Sequence, residues 1–253
     1  MRRVLIGLNV VAPGVFALLW IGGQFWAGLG ILFLAHMLAL WATLVPTCSW
    51  WGAVTYRLQS DHVWLTIDDG PDPEDTPWIL EVLEAHGAKA SFFVIGEKVR
   101  RWPGLVEAIR AAGHRVENHT MTHPQFSFWR FGLRGTTAQI SLAQEEITAA
   151  AGEPPRCFRA PAGFRNLFVH PVLRRLGLRL VAWSARGRDG VSTDREAIVK
   201  RLEKGITPGA ILLMHEGKRD AEGRSLIRDT LPKILAEVES RGLRVRVPEE
   251  EQL

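Results

Sequence analysis

The hydropathy pattern begins with an uncharged stretch: after Arg2 and Arg3 the chain has no Lys, Arg, Asp or Glu until Arg57. From residue 5 to 45 it is apolar over about twice the roughly 20 residues that one membrane-spanning helix requires. Gly22, Gly23 and Gln24 divide this run into segments 5–22 and 25–45, predicting two transmembrane helices joined by a tight turn. Asn9 and Pro13 in the first segment are tolerable where neighbouring groups satisfy the freed backbone. Trp20 and Trp26 near the turn, with Trp41, Trp50 and Trp51 near the far end, suit the two membrane interfaces. A secretory signal peptide is the competing reading of the basic start. Against it, apolar character continues far beyond a signal core, and no small-residue cleavage site precedes the charged region. A soluble domain would instead have to hide more than 40 uncharged residues as buried helices.

Beyond residue 61 short apolar runs alternate with amphipathic segments. Strands are predicted at 63–68, 88–95, 115–119, 157–161, 178–184, 210–215 and 243–247, with helices near 77–86, 98–112, 137–151, 168–176, 194–204 and 226–240. This βα alternation predicts an α/β parallel sheet or barrel. The expected organisation is a membrane region at 1–46, a two-helix hairpin; a juxtamembrane connection at 47–60; and a catalytic domain at 61–253. Thr76 ahead of Pro77 fits an N-cap with proline at the first helical position, and Thr193 with Glu196 fits a capping box. Ile227, Leu231, Ile234, Leu235 and Val238 make one continuous helical face, a core stripe and not a ligand site.

Charge and composition narrow the classes. The net charge of +4 falls to +2 once Arg2 and Arg3 are set aside, so no nucleic-acid footprint is indicated. An apolar fraction of 47% excludes a disordered or collagenous chain. Cys48 and Cys157 form no disulfide framework, and the His-x-Glu and paired-cysteine pattern of zinc deaminases is absent.

The polar residues that interrupt the strand pattern carry the chemistry. The first strand stops at Asp68 and Asp69 before Gly70 and Pro71. Two adjacent carboxylates at a buried strand end need a metal or a basic group beside them; the bland alternative makes Asp69 and Asp72 turn formers. His119 and His123 follow another strand, and on a helical turn that spacing puts both imidazoles on one face. With Asp69 they supply the three ligands of an open catalytic metal site. Arg159, Asp189, His215 and Glu216 stand at further strand ends. Arg159 has the donors to orient a carboxylate, and the accumulation points to hydrolysis, which needs a metal, a base, an oxyanion stabiliser and an acid.

Over about residues 61–250 these motifs resemble the polysaccharide deacetylase, or NodB-homology, domain of carbohydrate esterase family 4. The segment Thr66 to Gly70 resembles its first motif, His119 to His123 its two-histidine motif, Arg159 to Gly163 its third, and Leu212 to His215 its last. The resemblance implies a distorted (β/α) barrel with about seven parallel strands, behind the N-terminal transmembrane helices. It implies Asp69, His119 and His123 as metal ligands, Asp68 as base, Arg159 orienting that base, His215 as acid and Asp189 supporting it. Pro161 and Ala162 stand where the substrate groove and an oxyanion N–H are expected, although Ala162 replaces an aromatic residue and Gly190 a common tryptophan. The implied activity is metal-dependent removal of an N-acyl group, N-acetyl foremost, from an amino sugar, with one divalent ion: zinc first, cobalt, nickel or iron as alternatives.

Between His123 and Thr136 lies an aromatic, basic loop in which Trp129 and Arg130 are candidate substrate contacts; Phe126, Phe128, Phe131, Phe164 and Phe168 either join them or simply cover the core. Arg130, Arg134, Arg165, Arg186 and Arg188, set beside a membrane segment, suit a phosphate-containing lipid-linked sugar, to be deacetylated or deformylated, as the alternative to a polymeric glycan. An inactive membrane glycan-binding protein is the nonenzymatic alternative. The expected location is the bacterial inner membrane, in contact with membrane lipid, with both chain ends and the catalytic domain cytoplasmic; a single tilted span would place the domain on the opposite face. No nucleic-acid partner is expected and no protein partner is indicated.

Overall fold

The computed structural model describes residues 1–252. Two helices, α1 (Arg2–Ile21) and α2 (Phe25–Leu44), open the chain, each of 20 residues and therefore about 30 Å long, enough to cross a bilayer. They pack as a hairpin in which Asn9 Nδ2 donates to Leu5 O at 2.9 Å and across to Ala35 O at 3.2 Å, so this polar side chain pins the pair. Pro13 lies within α1.

The remaining elements are β1 (Trp64–Gly70), α3 (Asp75–Ala85), β2 (Ser91–Val94), α4 (Gly96–Arg101), α5 (Pro103–Ala111), β3 (Arg115–Asn118), α6 (Leu133–Ala151), β4 (Cys157–Phe158), α7 (Val169–Leu176), β5 (Arg179–Leu180), β6 (Ala185–Arg186), α8 (Arg195–Glu203), β7 (Ile211–His215) and α9 (Leu226–Ser240). Seven parallel strands in the order β5-β4-β3-β2-β1-β7-β6 form a curled half-barrel. Every residue of β1 is buried, as expected of a central parallel strand covered on both faces. The apolar stripe of α9, Ile227 to Val238, packs with Ile67, Leu212 and Met214 in the main core.

Several predicted boundaries change for identifiable reasons. Of the single strand expected at 178–184 only β5 forms, against β4; the chain then crosses to the opposite sheet edge, where β6 follows against β7. Curling brings those edges close enough for residues 181–184 to span them, and Thr55 seals the gap, donating to Leu180 O at 2.9 Å and accepting from Ala182 N at 2.8 Å. The strand expected at 243–247 reduces to a bridge between Val245 and Val63, because β2 and β7 already occupy both sides of β1. The helix expected at 98–112 breaks at Trp102, since Pro103 cannot continue it but starts α5 well. The caps also shift. Asp194, not Thr193, caps α8 by accepting from Ala197 N at 3.0 Å, and the turn into α3 is held by Asp72 Oδ1, which accepts from the Glu74 and Asp75 N–H groups.

Candidate active site

The C-terminal ends of β1, β3, β4 and β7 meet at one rim, joined by the loop after β6. Register sets Asp68 of β1 beside His215 of β7. Successive strand residues normally face opposite sides, but the ladder shifts between Asp68 and Gly70 and Asp69 takes a left-handed φ of 72°. Both carboxylates therefore approach the same atom: His119 Nε2 lies 3.7 Å from Asp68 Oδ2 and 3.5 Å from Asp69 Oδ1. A Cβ on Gly70, next in the chain, would lie 1.8 Å from Glu216 Oε1, so a side chain there would displace the Glu216 carboxylate.

His119 and His123 meet through a loop instead of the expected helical turn. Thr120 (φ 70°) and His123 (φ 51°) reverse the backbone, and side chains hold it: Asn118 Oδ1 accepts from Thr120 N, and Thr120 Oγ1 from His123 N. His123 Nε2 reaches 3.2 Å from Asp69 Oδ1, and one donor atom from each of Asp69, His119 and His123 falls within 4.8 Å of the others. His119 Nδ1 contacts the Arg159 carbonyl at 2.8 Å, which can only accept, so Nδ1 carries the proton and Nε2 presents its lone pair to the cluster. Asp69 Oδ1 is buried without a hydrogen-bond partner. An orphaned carboxylate oxygen between two imidazole nitrogens fits a divalent metal, and three such ligands leave positions open.

The surrounding field favours that use. Burial alone would raise the Asp69 pKa, but the close imidazole rings of His119, His215 and His123 hold it well below the usual carboxylate range. Burial, reinforced by His119, lowers His123 to about 4, leaving it neutral for ligation. Lys218 Nζ lies 2.8 Å from Asp69 Oδ2, and Lys98 Nζ donates to the Asp69 carbonyl at 2.6 Å. Neither lysine was singled out from sequence: each follows a predicted strand end by three residues, but a long flexible side chain there gives no signal of its own.

Arg159 is fully buried; its Nη1 donates to Asp68 Oδ1 at 2.6 Å and Thr66 Oγ1 at 2.8 Å, its Nη2 to Ala182 O at 2.9 Å. Asp189 accepts at Oδ2 from His215 N (2.7 Å) and lies at Oδ1 2.9 Å from His215 Nδ1. Burial works against the imidazolium of His215, but Asp189, backed by Asp69 and Asp68, outweighs it and raises the pKa to about 9. Glu216, next in sequence, turns inward: the Thr76 hydroxyl donates to it, and burial raises it to about 8. Pro161 opens a 3-10 turn in which Ala162 adopts a left-handed φ of 54°.

A cavity of about 360 Å³ joins these groups. Asp68, His119, His123 and His215 line it beside Ala162 and Gly190, where a Cβ would stand 3.5 Å from the His215 ring. Trp129 and Arg130 lie outside the lining; Trp129 turns back to donate to Phe126 O, and the loop instead contributes Gln125 and Phe126.

A curled parallel sheet carrying an Asp-His-His cluster that could hold a metal ion, a paired carboxylate and a paired histidine at its C-terminal rim has the features of a hydrolase of the carbohydrate esterase type. The chain belongs to the polysaccharide deacetylase family, whose model matches residues 55–181. It is 40% identical over 164 residues to a chitooligosaccharide deacetylase of Bradyrhizobium sp. (strain ANU 289), covering 64% of this chain and 74% of that protein. It is 32% identical over 203 residues to a peptidoglycan-N-acetylglucosamine deacetylase of Bacillus cereus, covering 76% and 90%. Among solved structures it resembles a CE4 family pseudoenzyme from Bacillus anthracis, at 27% identity and a TM-score of 0.68, covering 76% of this chain and 66% of that one. Since the fold accommodates a pseudoenzyme, it is the side chains at the rim that bear on chemistry.

Proposed function

We propose that this chain removes the N-acetyl group of an amino sugar in a glycan or glycoconjugate, using Asp68 as base and His215 as acid on either side of an Asp69, His119 and His123 metal site. The observation that carries this reading is the double pairing across one cavity: Asp68 with Arg159 and His215 with Asp189. When bound there, a divalent ion, zinc in this proposal, polarises the amide carbonyl and makes water a stronger nucleophile. Asp68 takes the proton of the attacking water, with Oδ1 fixed by Arg159 and Oδ2 facing His119. The Ala162 N–H, at the cavity wall, donates to the tetrahedral oxyanion. His215 then protonates the departing amine. Its Nδ1 is engaged by Asp189, which aims Nε2 at the cavity, where Gly190 leaves the approach open.

The hairpin of α1 and α2 is proposed to cross the bacterial inner membrane with both ends cytoplasmic, since the flanking charges are Arg2, Arg3 and Arg57. The test of activity is acetate release, with matching appearance of free amine, from N-acetylated amino sugars by the zinc-loaded full-length protein, with Asp68→Asn as blank. Release no greater than the blank from every sugar would reject the reading.

A further inference from the structure

We infer that the amino sugar is presented on a lipid through a phosphate, so that this site works on a membrane-borne phosphoglycolipid and not on a soluble polysaccharide. The inference rests on the deacetylase reading and names its substrate class.

Its first support is where α2 ends. Leu44 and Pro46 form part of the wall of the cavity that contains Asp68, His119 and His215. This placement is locked by Arg165, a fully buried side chain whose guanidinium donates to Pro46 O at 2.6 Å, to Val45 O at 3.0 Å and to Cys48 O. Its own N–H donates to Thr43 O at 3.1 Å. Gly163 passes so close that a Cβ there would lie 2.5 Å from Pro46. Cationic donors on the last carbonyls of a helix are favourable, and here they join the helix end to the loop carrying Ala162. A spanning α2 thus sets the cavity at the height of the bilayer surface, with the end of that helix forming part of its wall.

The second support is unused positive charge. Arg186 and Arg188 line the cavity, yet among the described residues neither guanidinium makes an ion pair or a hydrogen bond; that of Arg186 only stacks over Trp183 at 5.4 Å. Most other catalytic-domain arginines near acidic groups are paired, Arg195 with Asp220 and Asp229, Arg228 with Asp75. The sole acidic side chain of the lining, Asp68, is committed to Arg159. Two adjacent guanidinium groups without an anion are suited to bidentate contact with a phosphate. This reassigns one sequence candidate: Arg165, grouped with the phosphate-binding arginines, is spent on the helix end.

The third support is apolar. Of the large hydrophobic side chains beyond residue 46, the two most exposed are Phe126 (73%) and Val191 (79%), and both belong to the cavity lining, where the first carbons of a lipid would pass. A soluble glycan requires none of these three features.

The test compares four N-acetylglucosamine substrates with the zinc-loaded full-length protein in phosphatidylcholine vesicles: the sugar joined by a phosphate to a long alkyl chain, the same sugar on that chain through a neutral glycosidic link, the free sugar 1-phosphate, and chitotetraose. The expected result is a kcat/KM for the phosphate-linked lipid on the order of tenfold or more above the other three. Arg186→Gln with Arg188→Gln should raise its KM and bring it level with the neutral lipid. The phosphate-linked lipid should also bind the Asp68→Asn protein more tightly than the neutral lipid does. Equal use of the free sugar phosphate, equal or better use of chitotetraose, or an undiminished phosphate preference in the double variant overturns the inference and leaves the deacetylase reading standing. Acetate from none of the four would overturn that reading and the inference together.

Discussion

Arg159 Nη1 stands 2.6 Å from Asp68 Oδ1, with both side chains buried and Phe93 packed 4.1 Å from the guanidinium. The guanidinium fork also serves Thr66 and the carbonyls of Val181 and Ala182, so charge alone does not reproduce it. Arg159→Met should cost about 3–5 kcal/mol of stability by leaving a buried carboxylate uncompensated, read from urea unfolding. Arg159→Lys should be milder in stability yet still lose at least about tenfold in kcat, because one ammonium cannot hold all four acceptors. Full activity in the lysine variant would show that Asp68 needs only a nearby positive charge.

The division of labour between the adjacent aspartates is separable. Asp69→Asn, His119→Ala and His123→Ala each remove an atom from the triad and should lower bound metal together with turnover. Asp68→Asn should keep most of the metal and lose about two to four powers of ten in rate. Elemental analysis of the purified variants decides it: full occupancy with both histidines replaced would discard the ligand set, and equal metal loss in the two aspartate variants would discard the role split.

Asp189 governs the alkaline limb of the pH profile. His215 acts as an acid only when protonated, and its pKa of about 9 keeps that form present through neutral pH and loses it as pH rises past about 9. Asp189→Asn removes the main raising influence while burial remains, so the limb in kcat should move to lower pH by roughly one unit or more. An unmoved limb would mean that another group sets it.

How far the sequence carries this site can be judged residue by residue. Asp68, Asp69, Arg159 and His215 end apolar runs, and His119, His123 and Asp189 lie at or just beyond the ends of predicted strands; in a parallel sheet such ends lie on one rim, so their meeting place was legible. What brings them into contact was not. The left-handed backbone at Asp69, Thr120 and His123 has no glycine to announce it, and Lys218 reaches Asp69 from a turn with no strand pattern. Arg165 read as a phosphate-binding candidate because the carbonyls that occupy it lie 117 to 120 residues away in sequence. Residues 178–184 read as one strand because continuity of apolar character does not reveal that a curled sheet has brought its two edges together.

The hairpin topology is tested independently of the enzyme. Asn9 ties α1 to α2 near the middle of the hairpin, Arg2 donates to Leu167 O at 3.3 Å and Arg165 holds the end of α2, so the start of α1 and the end of α2 lie on the same side of any membrane they cross. Charges flank only that end, as expected when the basic end remains in the cytoplasm and the uncharged turn crosses. Cys48 is partly accessible and Cys157 buried, so a Cys48→Ser background should be nearly silent to a thiol reagent. Single cysteines at residues 3, 23 and 220, probed in sealed cells with a membrane-impermeant maleimide, should give labelling at 23 alone, and at all three after permeabilisation. Labelling at 220 but not at 3 would mean one span and would place the catalytic rim outside. Labelling at 3 and 220 but not at 23 would keep the hairpin and invert it.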